Sequence, residues 1–407
     1  MAVADRVRVA AVLVSVGVAG NQAASYLLNV AAARVLVPAD FGEFGALLAV
    51  LVVGAVPAMG LQTVTALRVA RGDTDRGRLL SLGLATSAVV TATTALAAPL
   101  LVGLLHLGSV WPALCVAASL ASITMIGLCY GVLQGTRRFA AMAALLGCEA
   151  VGRVGGTLAG LLVFRDATAA LTGTAIGALV VAGIGWVVIG RPRPARHHRG
   201  HVGEVLHAGQ AMLALVLLVN LDLVLARHHL PAPEAGEYAV GAIVAKAAYW
   251  LPQAVAILVL PRLASAAGRQ RFVPRALAVC AVLDAVVVVG SATLGPTVVA
   301  VVGGEDYAGS AIPVWAFAVV GSLLSLVQIL LFSRIASADR WSTLLIWGAV
   351  AVEILLVTLW LHDGLAEVVT AAVVATGLLV AAGALVELRS RRVEPLDAHR
   401  HHGGRGE

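Results

Sequence analysis

Ala33-Arg34-Val35-Leu36-Val37-Pro38-Ala39-Asp40-Phe41-Gly42-Glu43-Phe44 returns later in the chain as Ala226-Arg227-His228-His229-Leu230-Pro231-Ala232-Pro233-Glu234-Ala235-Gly236-Glu237-Tyr238. Arg, Pro-Ala and Gly-Glu-aromatic recur in the same order, with one residue inserted in the second copy. The offset of 193 residues that aligns the two arginines also sets Asn29 against Asp222, and a slightly larger one sets Pro57 against Pro252. Self-similarity at a fixed long period marks a duplicated unit. Each copy of the loop lies between two long apolar runs, so the duplicated unit is built from such runs.

Working outward, apolar stretches fill nearly the whole chain. It has 407 residues, of which 60% are hydrophobic and 12% charged, and its mean hydropathy is +0.95. A soluble domain of this length does not carry such a composition. Runs of roughly 20 apolar residues, enough to cross about 30 Å of hydrocarbon, are expected near 7–35, 41–67, 79–105, 110–134, 139–164 and 169–189. A second set is expected near 204–226, 236–260, 276–302, 310–332, 341–361 and 365–388. The fold class predicted is an all-α integral membrane protein of about 12 transmembrane helices in two six-helix bundles. An even number of spans separates the repeat copies, so the bundles have the same orientation and form a parallel repeat. The predicted organisation is an N-lobe over 1–190 (helices 1–6), a cytoplasmic linker over 191–203, a C-lobe over 204–388 (helices 7–12) and a basic cytoplasmic tail over 389–407.

Basic residues set the sidedness, because Lys and Arg collect in cytoplasmic loops. Of 28 such residues, 23 fall in alternate loops on one side; Arg34, Arg165 and Arg227 fall on the other, and Arg153 and Lys246 lie inside spans. Both termini are therefore expected in the cytoplasm of a bacterial plasma membrane. The net charge of +6 follows from topology and contact with anionic lipid, and nucleic acid is not an expected partner. Arg6 and Arg8 ahead of an apolar run have the form of a signal peptide, but the repeat counts this segment as the first helix. Cys115, Cys129, Cys148 and Cys280 lack paired metal-ligand spacing and are read as small apolar residues. His197, His198 and His201 in the linker, and His399, His401 and His402 in the tail, are read as parts of disordered basic stretches near anionic lipid, not as metal ligands.

The loop Leu36-Val37-Pro38-Ala39-Asp40-Phe41-Gly42, the run from Asn220-Leu221-Asp222 to Gly236-Glu237-Tyr238, and the later Leu251-Pro252 and Leu260-Pro261-Arg262 resemble the polysaccharide-transporter (oligosaccharide flippase) branch of the multidrug, oligosaccharidyl-lipid and polysaccharide (MOP) exporter superfamily. The resemblance covers nearly the whole chain. It implies a MATE-like, V-shaped pair of bundles that alternate access around a central cavity and move undecaprenyl diphosphate-linked sugars outward, with membrane lipids and other envelope polysaccharide assembly proteins as partners. Lipid II flippases carry two further helices that this chain lacks.

An ionisable group at mid-membrane costs roughly 2.5–3.5 kcal/mol on insertion scales, so each must meet a partner or a watery cavity. Glu149 and Arg153 are four residues apart and are expected on one face of the fifth span, together with the small-residue stripe Gly152, Gly156 and Gly160. Arg153 is read as a diphosphate contact, since a guanidinium presents a planar fork to phosphate oxygens; the plainer alternative is an intrahelical ion pair. Lys246, the only lysine, and Asp222 form a candidate cross-helix pair, either a transport element coupled to H+ or Na+ or a permanent salt bridge. Ser15, Gln22, Ser25, Tyr26 and Asn29 form a polar stripe suited to sugar hydroxyls or to interhelical hydrogen bonds, which Gln210, Asn220 and Gln328 extend. Asp284 and Glu353 have no identifiable partner and are read as proton sites or interfacial groups. Arg34 and Arg227, at matched ends of the two copies, are read as interface anchors first and as an external gate second.

No G-x-x-x-x-G-K-[ST] loop is present, no cofactor is implied, and the loops are too short for a catalytic site, so an enzyme is not expected. The rival function is a cation-coupled multidrug exporter of the same superfamily. Interior Arg153 and Lys246 favour an anionic cargo over a cationic drug.

Overall fold

A backbone in hydrocarbon has no water to bond, so each spanning segment must satisfy its own N–H and C=O groups as a helix. The computed structural model describes residues 2–73, 75–195, 202–250, 266–307, 309–335 and 340–400. Among them it has fourteen α-helices and no strand. In chain order they are α1 (Ala2–Val35), α2 (Pro38–Gly54), α3 (Val56–Ala70), α4 (Arg76–Leu105), α5 (Trp111–Gly135), α6 (Phe139–Phe164), α7 (Ala167–Val188), α8 (Val202–His229), α9 (Ala232–Trp250), α10 (Ala266–Thr293), α11 (Gly295–Gly303), α12 (Val314–Ile335), α13 (Arg340–Leu359) and α14 (Leu365–Arg400).

These helices follow the twelve expected segments, two of which are broken. The second segment divides at Ala55 into α2 and α3, where Pro57 enters the first turn of α3 and has no N–H to give to α2. The ninth bends by 87° between α10 and α11, at Leu294-Gly295-Pro296, for the same reason. Among the described residues, seven helices are long and apolar enough to cross a membrane, and eight if the bent pair is one span; α12 and α13 count as shorter apolar helices over Val314–Leu330 and Thr343–Leu359. Large apolar side chains such as Leu96, Leu100, Phe164 and Trp360 lie exposed on the helices, as lipid-facing positions require. The chain is a multi-pass membrane protein. The tail departs from the expectation of disorder: α14 runs on to Arg400. His197, His198, His201, His401, His402, Pro252 and Leu260-Pro261-Arg262 lie outside the described residues.

The chain divides into two compact units, Met1–Ala239 with Val302–Gly309, and Val240–Val301 with Ser310–Glu407. In the first unit a core of Leu61, Val64, Leu79, Leu82, Leu128, Leu133, Leu145 and Val181 joins α3, α4, α5, α6 and α7. Gly127 and Gly131 of α5 let that helix close on α3, since a β-carbon on either would stand 2.5 and 2.6 Å from the carbonyl oxygens of Ala58 and Gln62. The repeated loops also meet here. A β-carbon on Gly236 would lie 2.0 Å from the Pro38 carbonyl oxygen, and one on Gly42 would lie 2.8 Å from the Gly236 nitrogen. The glycines of the two copies therefore pack backbone to backbone, and the aromatics that follow them, Phe44 and Tyr238, are fully buried. Arg191–Ala195 is pinned to the start of α4, where Ala195 N donates to Ser81 Oγ at 2.9 Å and Arg76 Nη1 donates to Ile189 O at 2.8 Å. In the second unit Gly321 of α12 closes on α9, where its β-carbon would stand 2.0 Å from Ala245 O.

Candidate functional site

On α1 the residues Asn21, Ser25 and Asn29 recur every four positions and so share one face. Ser25 Oγ donates to Asn21 O at 2.7 Å and Asn29 Nδ2 donates to Ser25 O at 2.8 Å. Arg153 of α6 meets this face: its Nη2 donates to Ser25 Oγ and, at 3.2 Å, to Asn21 Oδ1. The Arg153 Nε is buried and has no hydrogen-bond partner. The guanidinium is thus held by neutral oxygens at Nη2, with the neighbouring Nε unsatisfied.

Glu149 does not pair with Arg153. Its Oε2 accepts from the Tyr130 hydroxyl of α5 at 2.5 Å, and among the described residues no carboxylate lies within 4.0 Å of the Arg153 guanidinium. The four-residue spacing permits contact, but each side chain finds a partner on a different neighbouring helix. The glycine stripe lets another helix come close. Gly152, Gly156 and Gly160 turn to α7, where β-carbons on Gly156 and Gly160 would stand 2.1 Å from the Gly173 and Ala169 carbonyl oxygens. Thr157 and Thr174 join their hydroxyls across the same seam at 2.7 Å. The arc that holds the stripe and Arg153 is wide enough to serve two helices, α7 on one edge and α1 on the other. Asn21, which completes the Arg153 site, was missed because Gln22 and Tyr26 suggested a stripe rotated by one residue. Gln22 and Tyr26 are half-buried on α1.

Asn220 and Asp222 are both buried on α8. Asn220 Nδ2 donates to Val216 O at 2.8 Å; Asp222 Oδ2 accepts from the Tyr238 hydroxyl at 3.1 Å, and its Oδ1 from Leu223 N at 2.8 Å. Lys246 is half-buried on α9 and belongs to the second unit. Arg34 is exposed, as an anchor requires, but its repeat partner Arg227 is only 6% exposed. Arg227 Nε donates to Leu105 O at 3.0 Å and Nη1 to Ala39 O at 3.3 Å, while Nη2 stands 3.8 Å from Glu43 Oε2. Beside it His228 Nδ1 bonds Leu104 O at 2.8 Å, and its ring stacks on His106. The last turn of α8 is thereby tied to the end of α4 and the start of α2. A basic residue at a span end suggested a water-facing anchor; the carbonyls left without intrahelical partners at the C-terminus of α4 hold it inward instead.

Among the described residues no group of three or more His, Cys, Asp or Glu side chains is placed to hold a metal. Cys129 and Cys280 are buried, Cys115 and Cys148 partly so, and none of the four forms a disulfide.

No family model and no curated protein matches the sequence. Solved structures do match. The lipid II flippase MurJ in an inward closed conformation aligns with a TM-score of 0.73 at 13% identity, over 93% of this chain and 87% of that one. An inward-facing multidrug resistance MATE family transporter of the MOP superfamily aligns at 0.67 and 14% identity, over 90% and 95%. A MOP superfamily transporter from Pyrococcus furiosus, described as having a binding pocket of reversed polarity, aligns at 0.56 and 14% identity, over 92% and 95%. The chain shares the fold of MurJ and the MATE transporters.

Proposed function

We propose that this protein is a flippase that moves polyprenyl diphosphate-linked oligosaccharide or polysaccharide precursors across the bacterial plasma membrane by alternating access. The observation that carries the proposal is Arg153: a guanidinium inside a helix bundle, held by Ser25 and Asn21, with a buried Nε left without a partner and, among the described residues, no carboxylate within 4.0 Å of it. A cation kept in a low-dielectric site without a counter-ion is costly, and a diphosphate supplies both the missing charge and acceptors for a bidentate guanidinium. Asn29 and the half-buried Gln22 and Tyr26 would then face sugar hydroxyls. In this reading the lobes are 1–190 and 204–388, joined by the linker 191–203, and both termini are cytoplasmic. Asp222 and Lys246 serve the C-lobe side of transport, the carrier lipid is undecaprenyl diphosphate, and envelope assembly proteins are the partners.

The second reading, a cation-coupled multidrug exporter, draws on the MATE likeness and on the Glu149 carboxylate kept inside the bundle by Tyr130. Lipid analysis of a strain depleted of the protein separates the two. Accumulation of a polyprenyl diphosphate-linked saccharide, cleared by the wild-type gene and not by Arg153→Ala, supports the flippase. Unchanged lipids together with raised drug sensitivity would replace it with the exporter.

A further inference from the structure

Asp284 lies on α10 and is 4% exposed. Its Oδ2 accepts from Ser325 Oγ of α12 at 2.8 Å, while Oδ1 is buried and has no hydrogen-bond partner. Ser322, one turn before Ser325, lies beside the same carboxyl, and its hydroxyl is also buried without a partner. Ser325 Oγ stands 2.8 Å from Ser322 O as well. A serine hydroxyl has one hydrogen to donate, so it cannot serve both the carboxyl and that carbonyl. Read as a carboxylate, Asp284 would leave a buried anionic oxygen bare and two acceptors competing for one hydrogen.

One added proton removes these conflicts. A neutral carboxyl gains an O–H that donates to a serine oxygen, and its remaining carbonyl oxygen is far less costly to leave bare than an ionised one. Cys280, one turn back on α10, is the titratable neighbour on the same helix, and α12 presents the two serines and no charge among its described side chains at this level. Among the described residues no cation pairs with it, so none of them holds it ionised. Ser291, two turns along α10, is buried as well and lies toward the bend at Leu294, where the broken helix leaves backbone groups for water to reach.

We propose that Asp284 is a proton-binding site at the α10–α12 seam, a carboxyl that binds a proton at one oxygen and returns it to water. Proton binding at this seam is independent of the cargo; its use in driving transport rests on the transporter reading above.

The test is infrared difference spectroscopy of the purified full-length protein in lipid nanodiscs, with pH stepped from about 5 to about 9 in sodium and in choline chloride. The expected result is a protonated-carboxyl C=O band that shifts in D2O, is the same in both salts, and disappears in Asp284→Asn. Asparagine keeps the size and offers an N–H where the acid offered O–H. Should that variant fail to fold, Ser322→Ala provides the second reading: the band remains and moves in frequency or titration midpoint. A spectrum unaltered by both substitutions overturns the assignment. So does a band that sodium abolishes, which would make the site one for a metal cation. Lost saccharide clearance in Arg153→Ala, together with a spectrum that Asp284→Asn and Ser322→Ala leave unaltered, would keep the flippase and reject the proton site. The converse pattern would do the reverse.

Discussion

Arg153 on α6 reaches Ser25 on α1 with the same Nη2 that stands 3.2 Å from Asn21 Oδ1, so a single nitrogen ties the two helices together. The rest of the guanidinium is surplus to that tie. A residue retained for packing would lose stability when replaced, whereas a half-buried cation with no carboxylate within 4.0 Å among the described residues would not. Arg153→Leu is expected to melt at or above the wild-type temperature in detergent. Clearance of the linked saccharide should fall at least about tenfold, equivalent to about 1.4 kcal/mol. Arg153→Lys should recover part of it, since a point charge replaces the fork. A parallel fall in melting temperature and clearance would make Arg153 structural.

The α6–α7 seam depends on the absence of side chains. A β-carbon on Gly173 would stand 1.9 Å from Gly156 O, and one on Gly177 would stand 2.0 Å from Gly152 O. Gly173→Val should therefore force the helices apart and destabilise the first unit by about 1–3 kcal/mol or more, the usual cost of overpacking. Gly155, whose β-carbon would meet nothing within 4 Å, is the control, and Gly155→Ala should melt as the wild type does.

Arg227 tests the opposite case, a cation whose partners need it. Removing it leaves Leu105 O, Ala39 O and Glu43 without the groups they now face. Arg227→Ala is expected to destabilise by about 3–5 kcal/mol, the range for breaking a buried charged pair. Adding Glu43→Gln should restore part of the loss. Thermal melting of the single and double variants measures the coupling; strict additivity would mean that the 3.8 Å approach to Glu43 contributes nothing.

The sequence shows the helical segments clearly because hydrocarbon permits few other backbones, and apolar runs of that length have one use. The Gly42–Gly236 contact is also foreshadowed, since a glycine kept at the same place in both repeats marks a close approach. Side-chain partners are less legible. A helical wheel places Glu149, Arg153 and the glycines within one arc, but only the arrival directions of α1, α5 and α7 divide that arc among three neighbours. Arg227 misleads for a similar reason. Its place in the sequence says that it is near a helix end, and nothing local says that the end of α4 is beside it. The break at Ala55 is readable in retrospect from Pro57, while the 87° bend at Leu294 follows from Gly295-Pro296 only once α10 and α11 are known to flank it.

Asp75 caps α4: its Oδ1 accepts from Arg78 N at 3.0 Å and its Oδ2 from Arg78 Nε at 2.6 Å. The Arg78 side chain, then its backbone N–H, hold the Asp75 carboxyl below the ordinary carboxylate range. The folded value is thus the lower one, so the contribution to stability is complete above the unfolded carboxylate range, near 3.9, and is lost as pH falls through the folded value. The melting temperature of Asp75→Ala should lie below wild type at neutral pH, and the gap should close on acidification toward about pH 3. Salt separates the two bonds. The exposed ion pair with Arg78 is screened at high ionic strength, whereas the bond to the Arg78 backbone is not, so part of the gap should survive in concentrated salt. A gap that vanishes in salt at neutral pH would assign the whole effect to the ion pair and none to the cap.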